Sequence, residues 1–310
     1  MMAKQETLFG WPGSEVIPRR GSLCVFGAPA ESGNPIYRGT ARAPAAIREA
    51  SRSLAPPHAK GVDWGDPVHA GGSDATTVLA HLAQTTARVR AAGLCPLMLG
   101  GDHSLTFAPV STLQAEEDLC LVWFDAHTDF SLWSGHASHN HKQVLRRVSS
   151  LTGVRRVLQV GYRGITTGDE RQLGEKATVV TSAQARAMDT ETLLALVPRH
   201  LPCYISIDID VIDPLWAPGT GAPVPDGLSP ATVATMLIAL VTHRQVVGID
   251  LVEVNPVLDH HGATSTIAAN LLRVIADHWH RPPILPASSD ALSAPDIATA
   301  SPTVEALPTT

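Results

Sequence analysis

Paired cysteines, long apolar runs and basic clusters are all missing from this sequence. Its four cysteines, Cys24, Cys95, Cys120 and Cys203, are scattered over 310 residues. No C-x-x-C knuckle is present, so a cysteine-built zinc site of that spacing is excluded, and a disulfide framework is not expected in a chain of this length. Each cysteine stands at or near the start of an apolar run such as LCVFGAP or DLCLVWFD, which predicts buried thiols in a reducing compartment. No run approaches the roughly 18 apolar residues of a membrane span. The opening MMAKQETLFGWPGSE lacks a basic segment followed by an apolar one. A cytoplasmic protein without a membrane partner is therefore expected. The 23 Lys and Arg residues are outnumbered by 29 Asp and Glu, giving a net charge of -6, and they are dispersed. That pattern offers no phosphate-backbone footprint and excludes nucleic acid as the expected partner.

What is present is hydrophobic content of 44%, enough for a large core, in short runs that alternate with helical patterns. The runs predict strands at 22–27, 95–99, 119–124, 156–161, 177–181, 203–209 and 245–252. Helices are predicted at about 44–52, 75–92, 140–150, 189–199, 229–243 and 264–279. Ser229 followed by Pro230, and DTETLLALV with its Asp or Thr cap, mark two of the helix starts. Strands apolar throughout and separated by helices predict an α/β fold with a mostly parallel central sheet covered on both faces. One domain is expected over 1–281. The Pro-, Ala-, Ser- and Thr-rich tail at 282–310 is expected to be disordered.

In such a sheet ligands collect at the carboxyl ends of the strands. Four predicted ends carry polar groups: GGDH after 95–99, DAHTD after 119–124, DID ending 203–209, and Glu253 after 245–252. In extended chain, residues two apart share a side, so Asp125, His127 and Asp129 can converge, as can Asp208 and Asp210. His103 supplies a sixth donor. Four carboxylates gathered at one rim would repel one another and need positive charge among them. Two divalent cations balance four Asp charges, and two neutral imidazoles add donors without changing that balance. Oxygen-rich coordination with two histidines makes Mn²⁺ the first expectation and Ni²⁺ an alternative. Two ions about 3.5 to 4 Å apart can share a water and lower its pKa to about 7, so hydrolysis is the reaction class expected. A mononuclear zinc deacetylase would not need six donors.

LGGDHS at 99–104, FDAHTD at 124–129, SIDIDVIDPLWAPGTGAP at 206–223 and GIDLVEVNP at 248–256 resemble the signature blocks of the ureohydrolase family, the arginases, agmatinases and related guanidino hydrolases. GTARAPAAIREAS and LQVGYRG extend the likeness over roughly 20–280. The resemblance implies an arginase-like three-layer α/β/α fold, assembly as a homo-oligomer (trimer or hexamer), and a binuclear manganese centre. It carries His103, Asp125, His127, Asp129, Asp208 and Asp210 over as metal ligands. Glu253 matches the family's guanidinium-binding Glu, Asp129 becomes the nearest proton relay, and His139 a candidate to shuttle protons or bind substrate. Asn140 stands where agmatinase-like members carry Gly, so His136 and His141 are kept beside His139.

The wording of the 206–223 block is closer to the agmatinase-like branch than to arginases. A small guanidino substrate, agmatine or a guanidino acid, hydrolysed to urea and an amine, is expected. Formimidoylglutamate hydrolysis and a catalytically silent metal-binding scaffold are the alternatives. Trp123 reads as core, Asp102 and Asp213 as turn residues, and Trp133 and Trp216 as rim or packing residues. Arg42 and Arg163 could meet a substrate carboxylate but stand outside the site.

Overall fold

In the computed structural model, which describes residues 6–34, 36–67, 74–131, 139–163 and 174–279, eight strands form one sheet in which every pairing is parallel. Trp133, His136 and the tail at 282–310 lie outside the described residues. The strands are β1 (Leu23–Gly27), β2 (Val62–Asp63), β3 (Cys95–Leu99), β4 (Leu119–Phe124), β5 (Val154–Tyr162), β6 (Ala177–Thr181), β7 (Cys203–Asp208) and β8 (Val246–Val252). Their order is β2-β1-β3-β8-β7-β4-β5-β6. Every residue of β1, β3, β4, β7 and β8 is buried, as parallel strands covered on both faces require.

The pleat divides the core in two. Cys120, Val122 and Phe124 of β4 pack on one face, beneath α1 (Ala43–Ser51), α5 (Ser182–Ala187), α6 (Thr190–Leu196), α7 (Pro230–His243) and α8 (Ala263–Asp277). Leu119, Leu121 and Trp123 pack on the other, beneath α2 (Ala75–Ala91), α3 (Phe107–Gln114) and α4 (Val144–Ser150). The result is the three-layer arrangement expected from the sequence.

Helix starts follow local chemistry. The Ser229 hydroxyl accepts the Thr232 N–H ahead of α7, with Pro230 in the first turn, and the Asp189 side chain accepts the Thr192 N–H ahead of α6. The predicted helix at 140–150 begins instead as a 3-10 turn, His141–Gln143, before α4. Two helices were not foreseen. The first, α3, reads FAPVSTLQ and is buried on all sides through Leu113, so its sequence shows no helical stripe. The second, α5, is only six residues long, although Thr181 and Gln184 form a capping box at its start. The two-residue strand β2 was also missed; it is too short to leave a period.

All four cysteines are free and buried, and burial pushes the Cys95 and Cys120 thiols up to about 12. Among the described residues no helix is long and apolar enough to cross a membrane. Near the β2 edge, Arg48 of α1 is 1% exposed. It is held by Asp63 at 2.8 and 2.9 Å and by Asp66 at 2.6 Å.

One consequence of the strand order bears on function. β3, β8, β7 and β4 are consecutive neighbours, so the four polar strand ends lie side by side at one rim.

Candidate metal centre

His103 opens the 3-10 turn His103–Thr106 that leads from β3 into α3, with Asp102 as its cap. The approach to that turn is tight. A Cβ on Gly101 would lie 1.8 Å from the Ala30 carbonyl oxygen, so only glycine fits there. The Asp102 carboxylate accepts the backbone N–H groups of Gly33 (2.8 Å) and Ser104 (2.9 Å) and the Ser104 hydroxyl.

The imidazole of His103 is fully buried, and its Nδ1 lies 3.3 Å from Asp125 Oδ2, 3.3 Å from Asp129 Oδ2 and 3.1 Å from Asp208 Oδ2. A second group gathers around His127, whose Nδ1 is 2.9 Å from Asp210 Oδ2 and 3.6 Å from Asp125 Oδ1. Asp125 therefore divides its oxygens between the two groups. The donor atoms of His103, Asp125 and Asp129 lie within 4.8 Å of one another, as do those of Asp125, His127 and Asp210.

The backbone holds these carboxylates from behind. The N–H of His127 donates to Asp125 Oδ1 (2.6 Å), that of Asp210 to Asp208 Oδ1 (2.9 Å), and that of Ala126 to Asp210 Oδ1 (3.0 Å). Asp129 reaches the cluster with a positive φ of 45° and Glu253 with one of 62°, a left-handed backbone uncommon outside glycine. Glu253 Oε1 accepts the His103 N–H at 2.8 Å, which puts a buried carboxylate beside the first group.

The electrostatics ask for cations. Burial, and then the neighbouring Asp210 and Asp125, push the Asp208 carboxyl well above the usual carboxylate range. Burial and Asp125 raise Asp129, and burial and Asp102 raise Glu253. Burial works against charge on His127 too, yet Asp210 and Asp125 overcome it and bring the imidazole up to about 12. The His103 Nδ1 is the sharpest test of fit: it is buried, faces three carboxylate oxygens, and makes no well-formed hydrogen bond. Burial works against charge on this ring, yet Asp125, Asp129 and Asp208 raise its pKa well above the usual imidazole range, so positive charge is favoured at this point, whether carried by the ring or by a cation held between Nδ1 and the carboxylates. The oxygen-rich donor set with two imidazoles fits hard to borderline divalent ions.

The six donors expected from the sequence thus come together, with Glu253 next to them. The loop histidines divide. His141 Nδ1 lies 2.8 Å from the carbonyl oxygen of Gly33, the residue whose N–H donates to Asp102. His139 faces Arg147, whose Nη1 lies 2.7 Å from its Nδ1, with Thr76 Oγ1 at 3.4 Å from its Nε2. Burial and Arg147 lower the His139 imidazole to about 4. Asp213 accepts the N–H groups of Leu215 and Gly227 at 2.9 Å each, a turn role.

Two residues do more than the sequence suggested. Trp123 is core, but its indole N–H also donates to Asp125 Oδ2 (2.8 Å), and its ring stacks on His103 at 4.1 Å. Its place two residues before Asp125, on the same strand face, was the available signal. Arg163 spends its donors on backbone carbonyls, among them those of Asp210 (2.6 Å), Val211 (3.2 Å) and Val224 (2.8 Å). It is a clamp on the loops beyond β7. Nothing in its local sequence announces that role.

The chain matches the model of the arginase family over residues 22–276. It is 32% identical to the proclavaminate amidinohydrolase of Streptomyces clavuligerus over 275 residues, 82% of this chain and 87% of that protein. It is 33% identical to the agmatinase of Proteus mirabilis over 264 residues, covering 80% and 84% of the two chains. The solved structure of the Streptomyces clavuligerus enzyme superposes with a TM-score of 0.78 at 29% identity, over 89% of this chain and 98% of that one. The family match and the superposition agree over nearly the whole of the described chain, and the chain belongs to the arginase family.

Proposed function

We propose that the protein is a binuclear metal-dependent hydrolase of linear amidines that cleaves a guanidino C–N bond. In this reading a guanidinium compound and water give urea and a protonated amine, with atoms and charge conserved. The observation that carries it is the division of Asp125 between two donor groups, with the Glu253 carboxylate alongside. His103, Asp125, Asp129 and Asp208 would hold one ion, and Asp125, His127 and Asp210 the other. When bound, such a pair lowers the pKa of a water it shares to about 7.

The chain's own residues supply the rest. A guanidinium is cationic and resonance-stabilised, so its carbon resists attack unless it is held in place. Glu253, with Oε1 occupied by the His103 N–H, offers Oε2 to the guanidinium in a charge-assisted pair that both neutralises and orients it. Asp129 takes the proton relayed to the departing amine. His139, its ring engaged by Arg147, is the first candidate to pass that proton outward, with His141 as the alternative.

Mn²⁺ is the ion we assign first and Ni²⁺ second, from the donor set. Relatives named for agmatine and for proclavaminate support a small guanidino substrate, agmatine or a guanidino acid. We assign a cytoplasmic homo-oligomer, trimer or hexamer, to be checked by light scattering on the purified chain.

One panel tests the reading. Agmatine, arginine, 4-guanidinobutyrate, 3-guanidinopropionate, guanidinoacetate, guanidine and formimidoylglutamate are each incubated with Mn²⁺-loaded and Ni²⁺-loaded protein. Urea release from at least one guanidino compound is expected. Formamide from formimidoylglutamate alone would replace the substrate assignment, and inactivity across the panel with two ions bound would favour a silent scaffold.

A further inference from the structure

Behind His103, on the side away from the carboxylates, lies a chain of buried polar groups that the proposed reaction does not use. The His103 Nε2 is 3.0 Å from Ser206 Oγ. The Ser206 hydroxyl donates to Asp250 Oδ1 at 2.7 Å, and the Tyr204 hydroxyl donates to Asp250 Oδ2 at 2.7 Å. Tyr204 is 1% exposed, and Ser206 and Asp250 are fully buried. Burying three polar side chains in the middle of the sheet is costly unless each is paired, and here each is.

The sheet register builds this chain. Tyr204, Ser206 and Asp208 alternate along β7 and share a face, so the strand that delivers a carboxylate to the cluster also carries the two hydroxyls. Asp250 of β8 is the register partner of Ser206. Tyr204 stands opposite Gly248, where a Cβ would lie 2.7 Å from the phenol ring, so glycine makes the room the ring occupies.

We propose that Tyr204, Asp250 and Ser206 are positioning residues that fix the tautomer and orientation of His103 and thereby set the affinity of the first ion position. This rests on the two-ion reading above. A serine has a single hydroxyl proton, and here it is given to Asp250, so toward His103 the Ser206 oxygen can only accept. Nε2 must then carry a proton, so in the neutral ring that binds a cation the lone pair sits on Nδ1, the atom that faces Asp125, Asp129 and Asp208. Stacking on Trp123 at 4.1 Å with a 7° interplanar angle holds the ring plane, and the Ser206 contact chooses which nitrogen points at the cluster. Such outer partners of a metal-binding histidine change affinity by about 10- to 100-fold.

The test uses the full chain, stripped of metal and titrated with Mn²⁺ while free Mn²⁺ is counted by EPR. Wild type, Ser206→Ala, Asp250→Asn, Tyr204→Phe and the hydroxyl-preserving Ser206→Thr are compared. Two bound ions are expected in wild type. In Ser206→Ala and Asp250→Asn one of the two should weaken by about 10- to 100-fold with the other unchanged, Tyr204→Phe should lose less, and Ser206→Thr should stay near wild type. In Zn²⁺-loaded wild type, used as a diamagnetic probe, NMR should show an exchange-protected proton on His103 Nε2 that is lost in Ser206→Ala. Two ions in wild type with affinities in Ser206→Ala and Asp250→Asn within twofold of it would overturn the relay, as would an unprotected Nε2 proton in wild type should the alanine variant not fold. Fewer than two ions in wild type would instead overturn the two-ion reading.

Discussion

At the scale of single residues, charge is tolerated in the core only where a counter-charge or a hydrogen bond meets it. Asp125 is the extreme case, fully buried and reaching both donor groups. Asp125→Asn is expected to remove high-affinity binding at both ion positions, read by elemental analysis after dialysis, whereas Asp210→Asn should spare the group around His103. Glu253 meets the cluster through the His103 backbone N–H, which the amide oxygen of Gln can still accept, so Glu253→Gln should keep both ions. It should lower kcat/KM by about 10- to 100-fold, the worth of a hydrogen bond to a charged group. His139 makes a pH-dependent contribution whose sign follows from its lowered pKa of about 4. The unfolded chain takes up the proton first as pH falls below about 6.5, so stability from this residue is present above that pH and is lost as the pH drops through about 4. Between pH 7 and pH 5 the thermal midpoint of wild type should fall further than that of His139→Asn.

At the scale of elements, the site depends on how loops leave the strands. Arg163 gathers the loop that follows Asp210 with the loop at 224–225 through carbonyl hydrogen bonds that lysine, with one nitrogen, cannot reproduce. Arg163→Met should cost about 2 kcal/mol or more in urea unfolding and weaken the ion position that includes Asp210; Arg163→Lys should restore little of either. The N-cap of α7 is a simpler device: Ser229→Ala should cost about 1 kcal/mol and leave metal content unchanged. The elements legible from the sequence were those whose signals are local. Ser229-Pro230 announces a helix start, and LCLVWF announces a buried strand. In α3 the same apolar composition is wrapped on all sides, and periodicity has no contrast to report.

At the scale of the molecule, eight parallel strands bury charged pairs as well as apolar side chains. Removing one partner of such a pair leaves the other charged and dry. Arg48→Met should therefore destabilise by about 3 to 5 kcal/mol, because Asp63 loses its guanidinium inside the fold. Arg155→Ala breaks an exposed pair with Asp118 at 2.8 Å and should change stability by about 0 to 1 kcal/mol. Chemical denaturation of the metal-free chain measures both. The parallel topology itself was legible, since strands apolar at every position must be covered on both faces.

By itself the sequence determined which acidic and imidazole side chains stand at the strand ends. The spacing placed Asp125, His127 and Asp129, and Asp208 and Asp210, at two strand ends, and that information is local; their convergence runs through the left-handed backbone of Asp129 and the 3-10 turn that holds Asp210, which differs from the extended chain the spacing suggested. Only the tertiary structure decided how they are divided, because β3, β8, β7 and β4 become neighbours through crossovers that no short segment encodes. The pairing of Ser206 with Asp250, the stacking of Trp123 on His103, and the capture of His139 by Arg147 likewise depend on cross-strand register and helix packing. Side-chain type and spacing are written residue by residue, whereas the partner of each side chain is fixed by the lowest free energy of the whole packed chain.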